Sequence, residues 1–490
     1  MTYVMQFKRI FMFIGRENEL AALKERFSAA SSTIIVVYGR RRIGKSSLIE
    51  EAARGFRFFS FEGLENASSA EQQNVFIKQL ADHGVKIPSN YPRDWFSLLR
   101  LLGKLSSRNI SDNRATRGPE TTVILLDEFQ WLANYRNELV SNLKLVWDQH
   151  LKKLGDLRLV LCGSVASFMV RKVLKSKALY GRVDLSIHLR SLSLSEAKEM
   201  LPNRSLDELI LAYLFFGGVP KYLSLLGDRD SVLRSLEFHC MNYTAYFAAE
   251  YDRIFVSHFG KNKAYSRIIR YLASKPNGAS RAAILKDLAL PNSGQTSELL
   301  ENLEFSGFIR SAVPFDKKAS SIHKLYYLAD YYLRFYLTFI EPLIQHGELE
   351  RVDFINQVFN SPKMRSWLGF SFENLCLDHA EAFAKLMGFS GVRYRVGPYF
   401  KIEKDGDTNS KNQLDLVFDR QDMVCTVCEV KYQSDIDLKQ VSTNLDRVIS
   451  KIKYFKRKTV NKVLITAGGN HQNNPLYFSR IINIQELLGL

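Results

Sequence analysis

The sequence predicts an α/β protein: a parallel sheet built around a phosphate-binding loop, then a helical segment, a three-helix module with a wing, and a second α/β domain. Three observations predict it. Ile34-Ile-Val-Val37 runs into Gly39-Arg-Arg-Arg-Ile-Gly-Lys-Ser46, an apolar strand ending in a G-x-x-x-x-G-K-[ST] loop with a helix opening behind it. Thr122-Val-Ile-Leu-Leu-Asp-Glu128 is a second apolar strand, and two adjacent acids stand at its carboxyl end. Near the C-terminal end, Gln413-Leu-Asp-Leu-Val-Phe418 and Val424-Cys-Thr-Val-Cys-Glu-Val-Lys431 are strands with charges set into apolar sequence.

Size and composition bound the reading. At 490 residues there is room for about three ordinary domains. An apolar share of 46% and a charged share of 24% are globular values and exclude wholesale disorder. The net charge of +17 points to an anionic partner, nucleic acid or an acidic membrane surface, although charge also serves solubility. Five cysteines, an odd and scattered set, indicate a reducing intracellular setting rather than a disulfide framework. No apolar run approaches the roughly 18 residues of a membrane span, and Met1 to Met12 lacks a cleavable leader's apolar core. A cytoplasmic protein is expected.

Each element then has a reason. Glu17 to Phe27 places Leu20, Leu23 and Phe27 at helical spacing. Gly39 and Gly44 let the loop curl so that backbone N–H groups face inward at a helix N-terminus, with Arg40, Arg41, Arg42 and Ile43 between them and Ser47 beyond. Lys45 is placed to reach the β- and γ-phosphates of ATP, and Ser46 to ligate Mg²⁺. Phe56 to Phe61 reads as a strand, Ser69 to His83 and Trp95 to Leu105 as helices, and Ser106 to Glu120 as an exposed loop.

In a doubly wound sheet ligands gather at the carboxyl ends of strands, so Asp127 is expected on Mg²⁺ and Glu128 on the attacking water. Arg158 to Ser167 is another buried strand. Its Ser164 either senses the γ-phosphate or caps a turn. Arg182, in a loop before the strand Val183 to Leu189, is either a finger on phosphate, in cis or in trans, or one half of a surface ion pair.

Residues 13–225 resemble the archaeal-type ATPases of the AAA+/STAND branch of P-loop NTPases. The likeness rests on Ile14-Gly-Arg-Glu17, the loop Gly39 to Ser46, Leu126-Asp-Glu-Phe-Gln130, Cys162-Gly-Ser164 with Ser167 and Met169, Leu179-Tyr-Gly-Arg182, and Phe216-Gly-Gly-Val-Pro-Lys-Tyr222. Ala178 departs from the proline frequent there. The resemblance implies an ATP-binding core, a helical lid, a winged helix and a C-terminal domain.

The expected domains are 1–194 for the ATPase core, 195–261 for the lid, 262–345 for the winged helix and 346–490 for the last. In the lid, the helix around Tyr243 to Ile254 is expected to pack on the nucleotide domain. Helices at Arg267 to Ser274, Arg281 to Leu288 and Gln295 to Ser306 precede a hairpin, Ile309 to Pro314 and Lys324 to Leu328, with Asp316-Lys-Lys318 at its tip. Glu298, Glu301 and Glu304 make the third helix acidic, so DNA contact and interdomain packing both stay open. The aromatic run Tyr326 to Tyr336 reads as core.

In the last domain, Glu373 lies in a helix, Asp415 in one strand, and Glu429 and Lys431 two apart on the next, hence on one face. Such a set can surround Mg²⁺ or Mn²⁺, with Lys431 orienting water or stabilising phosphorane charge. The arrangement resembles the PD-(D/E)XK nuclease fold, an α/β restriction-endonuclease-like domain, with Gln440 completing the pocket. Cys425 and Cys428 should point to opposite faces, and no other Cys or His pair stands at zinc-ligand spacing. Lys439 to Lys462 is dense in lysine and arginine, a surface suited to tracking phosphates.

These readings lead to a Mg²⁺-dependent ATPase whose nucleotide state controls a winged helix and a nuclease-like domain acting on DNA or another nucleic acid. The alternative is a STAND-like signalling switch with an inert C-terminal domain, whose output is a protein partner or a homo-oligomer. A weaker third reading is a DNA-binding regulator.

Overall fold

Strand β1 (Thr33–Tyr38) is buried on both faces, which is why its sequence is apolar without alternation. Ile35 and Val37 pack beneath the helices Glu17–Phe27 and Lys45–Ala52, while Ile34 and Val36 face a second layer containing Phe76, Trp95 and Trp147. In the computed structural model, residues 13–106, 121–227, 230–259, 262–313, 324–400, 413–469 and 474–489 are described. Met1 to Met12, most of the loop expected at Ser106 to Glu120, and the tip Asp316-Lys-Lys318 lie outside them.

Four further strands complete this sheet: β2 (Arg57–Glu62), β3 (Thr122–Asp127), β4 (Leu157–Gly163) and β5 (Val183–His188). Their order is β2-β3-β4-β1-β5, and every pairing is parallel. The strand with the phosphate loop and the strand with the acid pair are therefore not neighbours. β4 runs between them, so whatever follows β4 falls between loop and acids.

The chain divides into two compact units, residues 1–190 and 191–490. The second holds all of the expected lid, wing and C-terminal domain. A single buried cluster runs from Leu192 through Phe247, Ile268, Leu328 and Trp367 to Leu487, so the three segments separated by sequence share one core. The helix Tyr246–Phe259 buries Phe247 against Phe216 and Tyr332 and stacks Tyr251 on Tyr336. Its side chains Phe247, Ala248, Tyr251 and Ile254 are buried in this unit's core. Tyr326, Tyr331, Tyr332 and Tyr336 are buried, as core residues.

Helices Lys263–Ala273, Arg281–Asp287 and Gly294–Phe305 are followed by β7 (Ile309–Ala312) and β8 (Leu325–Leu328), which pair antiparallel. A short β6 (Ala279–Ser280) pairs with the other edge of β8. The last sheet contains β9 (Tyr394–Tyr399), β10 (Leu414–Arg420), β11 (Val424–Lys431), β12 (Thr459–Thr466) and β13 (Arg480–Asn483) in the order β13-β12-β11-β10-β9. β9, β10 and β11 pair antiparallel; β11, β12 and β13 pair parallel. Helix Pro362–Asp378 covers the face carrying Leu416 and Cys428, and helix Leu438–Lys451 the face carrying Val417 and Cys425. The two cysteines do lie on opposite faces. Among the described residues no helix is long and apolar enough to cross a membrane.

Candidate active site

Where β1 ends, the backbone must make room. Gly39 has φ +154°, and a Cβ there would come 2.3 Å from Leu189 O and 2.7 Å from Ile43 Cδ1. Its N–H donates to Gly163 O at 3.3 Å, tying the loop to the end of β4. Arg42 and Gly44 are left-handed, at φ 72° and 85°, which curls the loop onto the first turn of helix Lys45–Ala52. No side chain caps that turn, and its N–H groups point at the concavity, the geometry of an anion nest. Lys45 is buried and donates Nζ to Arg40 O at 3.0 Å, so the ammonium spans the loop. Ser47 is exposed.

The acid pair meets this loop through Ser46, whose Oγ donates to Asp127 Oδ2 at 2.6 Å. Asp127 Oδ1 accepts from Glu128 N–H at 2.8 Å. Glu128 is left-handed at φ 46°, an uncommon conformation for a residue with a side chain. Ser164 donates Oγ to Glu128 Oε2 at 2.7 Å; Gln130 Nε2 donates to the same oxygen, and to Ser164 Oγ at 3.1 Å. Two groups from separate elements thus fix one carboxylate oxygen. The hard oxygen donors of Ser46 and Asp127 suit Mg²⁺.

Gln130 and Gly163 also stand in this site, and sequence reasoning left both without a role. Gln130 is fully buried, and its Oε1 has no partner among the described residues. A Cβ on Gly163 would come 2.8 Å from that oxygen and 2.5 Å from Met169 Sδ. Glu62 was also missed. It pairs in register with Asp127 across β2 and β3, and burial raises its pKa, with the Asp127 and Glu128 charges adding and Arg41 opposing. Arg41 stands over the Trp131 ring at 5.4 Å. Arg182 grips Asp148 with two bonds of 2.8 Å, and Lys144 joins them at 3.2 Å. In this arrangement its guanidinium belongs to an ion pair with helix Glu138–Gln149.

In the second unit, Asp415 lies one step beyond the paired Leu416 and Cys428 and accepts from Val430 N–H at 2.9 Å. Burial raises its pKa well above the carboxylate range, and the charges of Glu373 and Glu429 raise it further. Glu373 is pushed up to about 7, by burial first, with Glu429 adding and Lys431 opposing. Burial disfavours the Lys431 ammonium, but Glu429 and Asp415 carry its pKa above the ordinary value. Lys431 Nζ donates to Glu429 Oε1 at 2.6 Å. The predicted four therefore sense one another. Yet no group of three or more His, Cys, Asp or Glu is placed to hold a metal among the described residues. Gln440 is exposed in the first turn of its helix, its N–H bonded to Asp437 Oδ1.

A parallel sheet with a glycine-bracketed anion nest and an acid pair two strands away defines a P-loop nucleotide-binding domain. Residues 13–226 match the family described as an ATPase domain predominantly from Archaea, a match that runs past Arg190 into the second unit. The chain is similar to the protein MJECL04 of Methanocaldococcus jannaschii, 24% identical over 445 residues, 89% of this chain and 91% of that one. It is also similar to an ATP-binding protein of that organism, MJ0423, 40% identical over 42 residues, 9% of this chain and 71% of that one. Among solved structures, the Walker-type ATPase PABY2304 of Pyrococcus abyssi is similar at TM-score 0.46 and 19% identity, covering 66% of this chain and 96% of that one. The ORC2 protein of Aeropyrum pernix is similar at TM-score 0.42 and 16% identity, covering 68% and 94%.

Proposed function

We propose that the protein is a Mg²⁺-dependent ATP hydrolase whose nucleotide state controls a winged helix and a nuclease-like C-terminal domain acting on DNA or another nucleic acid. The observation that carries the reading is the 2.6 Å bond between Ser46 Oγ and Asp127 Oδ2, which unites the loop hydroxyl and the strand-end acid. Ser46 and Asp127 would hold Mg²⁺, which when bound neutralises charge on the β- and γ-phosphates. Lys45 exchanges Arg40 O for phosphate oxygens. Glu128, held by Ser164 and Gln130, orients the attacking water and takes its proton.

Helices Lys263–Ala273 to Gly294–Phe305 with β6, β7 and β8 are read as the winged helix, and β9 to β13 with Glu373, Asp415, Glu429 and Lys431 as the nuclease-like domain. Exposed Lys439, Arg447, Lys451, Lys453, Lys456 and Arg457 support tracking of a phosphate backbone. One observation favours the STAND-like switch instead: Glu429 is engaged by Lys431, so a C-terminal metal would have to displace that ammonium.

Two assays test the proposal. Wild type should hydrolyse ATP with Mg²⁺, Glu128→Gln should bind without turnover, and Lys45→Ala should lose binding; nucleotide uptake unaffected by Lys45→Ala overturns the site. Metal-dependent cutting of labelled DNA, lost in Asp415→Ala, supports the nuclease reading. ATP hydrolysis without cutting supports the switch.

A further inference from the structure

A cavity of about 390 Å³ opens in the second unit among the end of helix Lys263–Ala273, β8, the turns after Tyr331 and helix Pro362–Asp378. Its size falls in the range of small-ligand pockets. Leu272, Tyr327 and Phe370 supply apolar wall; Arg334, Lys363 and Trp367 supply cations and donors. No carboxylate lines it among the described residues.

Arg334 is 8% exposed, and its Nε and Nη1 have no acceptor among the described residues. Nη2 reaches Ala329 O only at 3.5 Å. Trp367 is 6% exposed, and its Nε1 also lacks an acceptor there. Two nearby acids hold other partners: Asp378 accepts from Arg310 at 2.8 Å and from Tyr331 OH at 2.6 Å, and Asp330 accepts from Leu333 N–H at 2.7 Å, while Glu373 feels the Arg334 charge, which lowers its pKa against the larger effect of burial. Burial lowers the Arg334 pKa to about 10, opposed by Tyr331 and the Asp378 and Asp330 charges, so the group stays cationic at neutral pH. Buried donors without acceptors are costly to a fold, so each wants a partner, and a cavity beside them gives an anion room to supply one. Lys363 and Ser366 are exposed, giving the cavity a mouth, and Lys363 Nζ is anchored on Thr338 O at 2.9 Å.

We infer that this cavity binds a small organic anion, a carboxylate or phosphate head on an aromatic or apolar body, with the head on Arg334 and Lys363. An aromatic body lies against Tyr327 and Phe370, and Trp367 Nε1 donates to the head or to a polar group beside it. The site is made wholly of residues 272–374 and does not rest on the ATPase reading.

The test uses the full chain and calorimetry with 1-naphthoate, 1-naphthyl phosphate and neutral 1-naphthamide as probes. One anion should bind with 1:1 stoichiometry, and the tighter of the two identifies the head group. The amide should bind at least about tenfold more weakly, as should the anion to Arg334→Met, because a charge-assisted pair is lost. Saturating Mg-ATP should not compete. The ligand-free Arg334→Met protein should melt no lower than wild type, since a buried guanidinium serving a ligand is a cost to the empty fold. Absence of saturable anion uptake at millimolar probe, equal uptake of the amide, uptake unchanged in Arg334→Met, competition by Mg-ATP, or a lowered melting temperature for that variant would each overturn the inference.

Discussion

Ser164, just past the end of β4 and so between the strand of the phosphate loop and the strand of the acid pair, donates its hydroxyl to Glu128 Oε2 at 2.7 Å. On the proposed reading this bond aims a carboxylate rather than holding nucleotide. Ser164→Ala should therefore lower kcat for ATP about tenfold while nucleotide affinity stays within about threefold. Steady-state turnover set beside equilibrium binding decides it; affinity falling in step with kcat would place Ser164 on the nucleotide instead.

Ser46 and Asp127 make a different demand. Their 2.6 Å contact joins two oxygen donors suited to one divalent cation. Asp127→Asn keeps the shape and removes the charge. It should weaken Mg-ATP by at least about tenfold and leave metal-free ATP within about twofold, because Lys45 and the loop N–H groups remain. Titrations with and without Mg²⁺ supply the comparison, and an equal loss in both would mean that Asp127 only supports the loop.

Much of this site was legible because its parts are continuous in sequence. Ile34 to Val37 and Gly39 to Ser46 announce strand and loop together, and Thr122 to Glu128 announces strand and acids. Gln130 was not legible. It is one polar residue between the buried Phe129 and Trp131, and its role arises only because β4 brings Ser164 alongside. The same limit applies to the last sheet. The basic stretch read from Lys439 to Lys462 runs into Thr459–Thr466, which forms β12, with Lys462 bonded to Asp446 at 2.7 Å and to Ser442 at 2.8 Å. Lys458 likewise pairs with Asp419. Some lysines counted toward phosphate tracking are thus engaged within the fold, a pairing that local sequence does not announce. The expected segments 195–261, 262–345 and 346–490 were drawn from local pattern, and the buried cluster from Leu192 to Leu487, built from distant contacts, draws residues from all three.

Asp415 is a carboxylate held where burial and two acidic neighbours oppose its charge. Asp415→Asn removes that opposition while retaining an acceptor for Val430 N–H. In metal-free buffer at neutral pH the variant should be more stable than wild type by about 1–2 kcal/mol, as stabilising changes at strained functional sites are. Denaturant unfolding monitored in the second unit measures it. A loss of stability would mean that Asp415 is a structural acid and would count against its place in a reactive cluster.

His379 gives the second unit a pH dependence of known sign. Its Nε2 accepts from Leu194 N–H at 3.0 Å and its Nδ1 donates to Leu375 O at 2.9 Å, so the ring is neutral in the fold. Burial lowers its pKa from 6.5, with the Leu375 bond and the Asp378 charge opposing. Above 6.5 neither the folded nor the unfolded chain protonates this ring, and its contribution is complete. As pH falls below 6.5 the unfolded chain takes up the proton first, so stability drops, with a slope of at most about 1.4 kcal/mol per pH unit for one group. His379→Gln keeps a donor and an acceptor but does not titrate. Its unfolding free energy, measured at pH 7.5, 6.5 and 5.5, should fall less steeply than that of wild type; identical slopes would show that the ring is protonated in the fold, or that its bond to Leu194 is not maintained in solution.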